Sequence, residues 1–531
     1  MSAPQAAVGG RTGRVHPSVR RRRLDRRLLV AAAVLAAFLL ALGLSLTMPK
    51  PNFPLVFGLI VGVIGIVALA SISRLEVSAA VLTVYLGVLD GPIKLLSGSQ
   101  LASSGRDIVI AAVSAGALVR IIAKRERIRM PPLSGWVIAF TALVLIEAFN
   151  PKTANFTKVL GGYRQNLEWV PFFFLGYVLM RSHTSFRRLF VVIGVLTLVN
   201  GFVATYQTQI SPGSLAAWGP GYSEKVNGTI NSETGAAVGA RKYRSEGEGR
   251  VRPPGLGADS GFPGGLGVIA LPCSLALLAT SRRRQRWYAI VFCLGAIASV
   301  TIGLSRLQVI GGLIAAVSFV LLSLSVGPRV TRPLAALLAV LALAVPLGAL
   351  FVSAVGSNIF SRYESIQPNS VVQTSTTYKE KSLAMIPHYI SSDPFGFGLA
   401  TTGPAVGFGG KVTGVLEGHG ITGETQYNYV EDELGAPGLL LWVLLSLEII
   451  VLVLRWLPRI PDVDIRLDLA AIFAVFIAHT IMGIRGAFMD SSSAGPFFWF
   501  SVGIAAYWFA GPGRPRRLRR QSRPPAVRAV A

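Results

Sequence analysis

The sequence predicts an all-α, polytopic integral membrane protein, and three observations carry that reading. Uninterrupted apolar stretches of about 20 residues recur from Leu28 almost to Phe509, each the length that crosses about 30 Å of hydrocarbon as a helix. The composition agrees: 52% of the 531 residues are hydrophobic and only 14% are charged, with a mean hydropathy of +0.56, which leaves too little polar surface for a soluble globule. Most Lys and Arg fall in short runs between the apolar stretches, as membrane topology requires. The net charge of +26 is therefore read as topogenic, and no nucleic-acid partner is expected.

The spans are expected at approximately 28–48, 53–71, 76–92, 107–123, 132–149, 167–180, 188–206, 261–280, 287–304, 307–326, 332–355, 435–455, 467–485 and 496–510, about fourteen transmembrane helices. The first follows Arg20 to Arg27, but it is too long for a signal sequence and lacks a small-residue cleavage site, so it is expected to stay as an uncleaved span. With that Arg-rich start in the cytoplasm, alternate connections should be basic. They are: Arg120 with Lys124 to Arg129, Arg181 to Arg188, Arg282 to Arg286, Arg329 to Arg332, Arg455 to Arg466, and the tail from Arg514. The span at 167–180 is short, yet removing it would move two basic clusters to the outside, so the charge pattern keeps it.

The chain then divides into a cytoplasmic basic tail (1–27), N-terminal helices (28–206), an external loop (207–260), further helices (261–355), a large external loop (356–434), C-terminal helices (435–510) and a second cytoplasmic basic tail (511–531). The two long loops are rich in Gly, Ser, Thr and Pro, and long loops on a compact protein often carry function. Cys273 and Cys293 lie inside apolar runs, where packing is a better role than a disulfide or a metal site. The five histidines form no close pair at metal-ligand spacing. Gly407 to Lys411 is superficially like a phosphate loop but lacks its spacing and its strand-helix setting.

Three arginines attract more attention. Arg306 interrupts the apolar stretch from Trp287 to Val326, Arg252 stands just before the span that begins near Gly261, and Arg164 precedes the span at 167–180. The alternation of charge puts all three at the outer face. An arginine left at the bilayer centre costs roughly +2.5 to +3.5 kcal/mol on insertion scales, and a guanidinium offers the planar fork that suits phosphate. Near the outer leaflet the concentrated phosphate is a lipid headgroup or a lipid diphosphate; snorkelling to the interface is the plainer role. Glu147, His479 and Arg485, near outer ends of spans, either line the same cavity or anchor helix ends.

Four stretches resemble the O-antigen ligase and polysaccharide polymerase superfamily of bacterial membrane glycosyltransferases. Arg252-Pro253-Pro254-Gly255-Leu256 is similar to the family's arginine-glycine segment before a helix, and Leu304-Ser305-Arg306 to its Ser-Arg turn. Ala384-Met385-Ile386 with Asp393 to Gly398 resembles its P-x-G-x-G element, and Gln426 to Leu439 its passage into the next helix. The resemblance runs from about Arg164 to Arg455 and implies a GT-C-like fold in the bacterial plasma membrane. It implies a metal-independent, inverting transfer that uses no cofactor. The donor would be a glycan on undecaprenyl diphosphate and the acceptor a sugar hydroxyl.

On that resemblance Arg252 and Arg306 match positions credited with the diphosphate, and Arg164 is a third candidate. The family's histidine-asparagine pair is replaced here by Glu424 and Thr425. The catalytic base is then Glu424 or the nearby His419. Loss of the histidine favours a polymerase of lipid-linked repeat units over a ligase that moves a finished glycan to another envelope acceptor. A flippase or exporter of the same lipids is the rival from another class, although no internal repeat is evident. The sugar, the linkage and the binding of a chain-length regulator stay open.

Overall fold

The computed structural model describes residues 75–98, 100–123, 130–153, 155–227, 229–230, 237–238, 252–324, 383–407, 425–489 and 491–515. They divide into two compact units, one drawn from 1–80 and 111–127, the other from 81–110 and 128–531. The regular secondary structure of the described residues is helical apart from a two-residue β-ladder, β1 (Thr229–Ile230) against β2 (Ala237–Val238). The expected spans at 28–48, 53–71 and 332–355 lie outside the described residues.

The first described apolar run forms α1 (Leu75–Val84), a π-turn at Tyr85–Leu89 and α2 (Asp90–Ser97), closed by Gly98 in the left-handed region. A π-turn in an apolar helix is uncommon and frequents functional places. There follow α3 (Gln100–Ala123), α4 (Ser134–Glu147), α5 (Phe156–Leu167), α6 (Pro171–Leu179) and α7 (His183–Gln209). The short α8 (Pro212–Ala216) and α9 (Pro220–Asn227) come next. After them stand α10 (Phe262–Thr280), α11 (Arg286–Ile302), α12 (Arg306–Leu324) and α13 (383–392). The chain closes with α14 (Gln426–Trp456), α15 (Val463–Met482) and α16 (Ala494–Trp508).

Seven helical stretches among the described residues are long and apolar enough to cross a membrane: 78–97, α7, α10, 283–302, α12, 426–459 and α15. Burial sorts them. The apolar window of α10 is 89% buried and that of α15 is 67% buried, whereas the others reach only 33–44%, so α10 and α15 form the centre and the rest present one face outward. Helix α10 packs on α7, α11, α12 and α15. Large apolar side chains such as Phe202, Leu313, Leu321, Leu440 and Val451 lie exposed on the outer helices, a surface suited to lipid rather than water. Close packing uses small residues: a Cβ on Gly176 or Gly503 would collide with backbone across the α6–α16 contact, the approach that glycine permits between membrane helices.

The ends of the large unit differ in chemistry. At one end the basic connections gather on aromatic rims: Arg181 lies over Tyr177 and Tyr507, Arg514 lies 3.7 Å from the Trp456 ring centre, and Arg187 donates to Gln285 and Tyr288. The opposite end carries many turns, among them 252–261, 303–306 and 483–493.

Two expectations change. The region 149–167, expected as a connection, contains α5, which shows no apolar run because its buried face includes Lys158, Gly161, Gly162 and Asn166. The region 356–434, expected as an external loop, contributes α13 and the first turns of α14, which starts at Gln426 rather than 435. Thr425 caps it by accepting from the Asn428 amide, as a threonine at that position does. Cys273 and Cys293 are buried in α10 and α11.

Candidate functional site

Two polar assemblies occupy the turn-rich end of the large unit. The first forms where α14 breaks. Gly435 adopts φ 61°, ψ −162°, a backbone region open essentially to glycine alone. The break lets the Pro394-Phe395-Gly396 turn dock against it: the Ala436 amide donates to the Pro394 carbonyl at 2.9 Å and the Phe397 amide to the Asp432 carbonyl at 2.7 Å. A Cβ on Gly435 would collide with the Pro394 carbonyl, and one on Gly396 would come within 2.7 Å of the Gly435 nitrogen. The two motif stretches at 393–398 and 426–439 are therefore one interlocked unit.

Helix α5 holds the outgoing loop. Lys158 is buried and its Nζ donates to the carbonyls of Val406 at 2.6 Å and Ala400 at 3.3 Å. The Leu399 amide donates to Thr153 Oγ1, the Ala405 amide to Gln165 Oε1, and Lys152 pairs with Asp393. Burial holds the Lys158 amine below its usual range, and the negative Glu433 opposes that. Glu433 in turn accepts from Asn166 at 2.7 Å and from Gln165 at 3.0 Å.

Its neighbours Glu431 and Asp432 are equally buried, and their carboxyl groups face each other. Tyr389 of α13 faces this pair, and its phenol is pushed up first by burial and then by the charge of Asp432 and Glu431. Nearby, Ala400 sits at φ 57° without being glycine, a strained backbone of the kind that tertiary contacts must enforce.

The second assembly contains the arginine-bearing turns. The segment after Arg252 is pinned to α7: Gln207 exchanges two hydrogen bonds with Gly255 (2.8 and 3.0 Å), and Asn200 Oδ1 accepts from the Leu256 amide at 2.9 Å. Arg252 itself is half-buried. Gln308 Nε2, one half-turn into α12 from Arg306, donates to the Gly261 carbonyl at 2.6 Å. Arg306 is exposed at the first position of α12, two residues after Leu304, which is buried at φ 49°. Asp259 accepts from the amide and hydroxyl of Ser492 at 3.1 and 2.7 Å. Burial works to raise the Asp259 carboxyl, but Arg106, Ser492 and Lys94 outweigh it and hold the group below its ordinary range.

Arg164 stands differently. Its guanidinium already pairs with Asp107 at 3.0 Å. Beside it Arg106 is buried, chelates Glu168 (Nη2 to Oε2 2.7 Å), lies 3.8 Å from Asp90 and sits 4.7 Å over the Trp169 ring. Lys94 pairs with Asp90 at 2.9 Å. These acids and bases offset one another, so the cluster serves to tie α2, α3 and the turn after α5 together.

Of the other expected site residues, Glu424 and His419 lie outside the described residues, as do positions 408–411 of the phosphate-loop-like stretch. Glu147 accepts from Asn150 at 2.8 Å at its helix end, and His479 is buried, stacked 5.6 Å from Phe488. Among the described residues no three acidic, histidine or cysteine side chains gather as metal ligands. The sequence reading passed over Lys158, Arg106, Asp90 and Glu168. For three of them the signal was present, since Lys158, Asp90 and Glu168 lie next to Val159, Leu89 and Trp169, and ionisable groups in such settings are functional or paired by default.

Comparison of the chain with known proteins finds no matching family model and no matching curated protein. The class of protein that the fold defines is a helical one with several membrane-competent helices.

Proposed function

We propose that this protein is an extracytoplasmic glycosyltransferase that polymerises oligosaccharide repeat units carried on a polyprenyl diphosphate into a cell-surface polysaccharide. The observation that carries the reading is that hydrogen bonds join two of the four stretches that resemble the O-antigen ligase and polymerase superfamily directly, and that further bonds link residues just beside the others to one another and to the 488–492 segment. Pro394 joins Ala436, Gln426 Oε1 accepts from the amides of Phe488 and Met489, Asp259 joins Ser492, and Gly261 joins Gln308. Segments up to hundreds of positions apart in sequence thus meet at the end of the helices opposite the basic clusters.

On this reading an acceptor hydroxyl attacks the anomeric carbon of the donor. The carbon–oxygen bond to the diphosphate breaks, the configuration inverts, and the lipid diphosphate departs with the electron pair. Arg306 and Arg252 stabilise the charge that develops on the leaving oxygen. The hydroxyl proton passes to Glu424 or His419. Fourteen spans, both termini cytoplasmic and a GT-C arrangement belong to the same proposal.

Incubation of the purified protein with a lipid-linked oligosaccharide tests it. A ladder of products is expected. One mass shift on a different acceptor would make the protein a ligase, and unchanged oligosaccharide that crosses the bilayer of a vesicle would make it a transporter.

A further inference from the structure

Trp456 closes α14 with only 5% of its surface exposed, and three arginines converge on its ring. Arg455 precedes it in the chain, Arg459 ends the short helical turn that follows, and Arg514 arrives from the segment after α16. Their guanidinium carbons lie 5.6, 4.6 and 3.7 Å from the ring centre. Backbone bonds set Arg514 in place: the Gly513 amide donates to the Tyr507 carbonyl at 3.0 Å and the Arg514 amide to the Gly511 carbonyl at 3.1 Å.

An aromatic ring attracts a cation, but three cations so close to one ring also repel one another. Elsewhere the large unit pairs its cations, Arg106 with Glu168, Lys94 with Asp90 and Arg164 with Asp107. Here it does not. Arg455, Arg459 and Arg514 are exposed, and among the described residues none of them forms an ion pair or a side-chain hydrogen bond. In the same connection Arg466 donates to the Ile460 carbonyl at 2.9 Å, while Asp462 accepts from the amides of Asp464 and Ile465 that open α15. The sequence of 516–531 contains no acid. Membrane topology asks for cations near a helix end but not for their convergence on one ring.

The helix that carries the ring adds a second observation. Leu440, Leu444, Leu447, Val451 and Leu454 are all exposed, and their spacing of three and four residues sets them in one stripe along α14. Arg455 stands four residues after Val451, so the stripe runs into the arginine group. A tryptophan at the end of an apolar helix marks the boundary between hydrocarbon and water. The cations therefore lie at the level of lipid head groups, with a hydrocarbon surface leading up to them.

Within a bilayer an acyl chain gains nothing by moving from other chains onto a helix, so the head group must select the occupant. A guanidinium donates to two phosphate oxygens at once, and basic groups at helix ends take anionic lipid heads. A zwitterionic head would bring a further cation to the group, whereas a net negative head offsets the repulsion already there. We infer that Arg455, Arg459 and Arg514, gathered on Trp456, hold the phosphate of an anionic phospholipid whose acyl chains lie along the exposed stripe of α14. The site needs only that α14 crosses a bilayer; it is independent of the proposed reaction and lies at the opposite end of the helices from the turns at 252–261 and 303–306.

The test titrates the full chain, in a neutral detergent, with phosphatidylglycerol and reads bound lipid by native mass spectrometry. Phosphatidylglycerol should bind in preference to phosphatidylcholine. Changing Arg455, Arg459 or Arg514 singly to Gln should weaken that binding by about fivefold, and all three together by about a hundredfold. The triple lysine variant keeps every charge and loses the forks, so it should still lose about tenfold. Arg283→Gln with Arg284→Gln, two exposed arginines outside the group, should leave binding unchanged. Thermal midpoints without added lipid should match the parent in every variant, which separates lost binding from lost fold.

Equal binding of phosphatidylcholine overturns the inference, as does full binding in the triple glutamine or the triple lysine variant. The same loss from the 283–284 pair as from the three arginines would reduce the group to general topogenic charge. Displacement by inorganic phosphate as readily as by a second phospholipid would make the ligand a free anion and remove the acyl stripe from the site.

Discussion

Arg306 and Arg252 share a charge but not a setting, and their settings lead to different expectations. Arg306 is exposed at the start of α12, behind a strained Leu304, whereas Arg252 is half-buried in a turn held by two α7 amides. Arg306→Lys keeps the charge and loses the bidentate fork. Turnover of Arg306→Lys and Arg252→Ala, measured on lipid-linked oligosaccharide, should fall on the order of 10²–10³, as when one transition-state donor is removed. Full activity in both would leave snorkelling as the role of these side chains. Arg164, already paired with Asp107, is expected to matter less to turnover than to integrity of the fold.

The base is settled by a second pair of variants: Glu424→Gln should lower turnover by roughly 10²–10⁴ with donor binding kept, while His419→Ala stays mild. The reverse ranking would transfer the role to His419. Two mild effects would mean that positioning and the arginines do most of the catalysis.

At the scale of elements, the break in α14 is the feature on which the motif assembly depends. A straight helix from Gln426 to Trp456 would carry Glu431 to Glu433 past the 394–398 turn. The kink at Gly435 instead accepts that turn, and α5 clamps the loop beyond it through Lys158 and Gln165. Gly435→Ala combines a disfavoured φ with a collision against Pro394. It should cost at least about 2–3 kcal/mol, seen as a lower thermal midpoint and faster proteolysis within 393–407. Native-like stability in that variant would mean that the turn does not depend on the kink. Lys158→Met should loosen the same loop with a smaller effect, since it removes one buried donor to two carbonyls and relieves a buried amine at the same time.

For the whole molecule, the large unit gathers Arg181, Arg187, Arg455 and Arg514 at one end of its helices, and the proposed topology puts that end in the cytoplasm. The turns at 252–261 and 303–306 lie on the other. With Cys273 and Cys293 replaced, single cysteines at Ser245 and Thr413 should react with an impermeant thiol reagent applied to intact cells. One at Gln285 should not. Labelling of Gln285→Cys under those conditions would invert the proposed topology and take the arginines away from any external donor.

Hydropathy and charge spacing, which are properties of the chain read in order, determined most helix positions. The expected 261–280, 287–304, 307–326 and 496–510 correspond to α10, α11, α12 and α16 within a few residues, because a stretch that must satisfy its own backbone in an apolar medium has to be helical. Local sequence also marked the turns at Arg252 and Arg306. Helix α5 and the start of α14 were not legible, since their buried residues are polar and become tolerable only through partners more than 200 positions away, as when Asn166 meets Glu433 or Lys158 meets Val406. The close approaches at Gly176 and Gly503 were equally hidden. A glycine in an apolar run reads the same whether or not a neighbouring helix packs against it, and only the packing of one helix on another decides which.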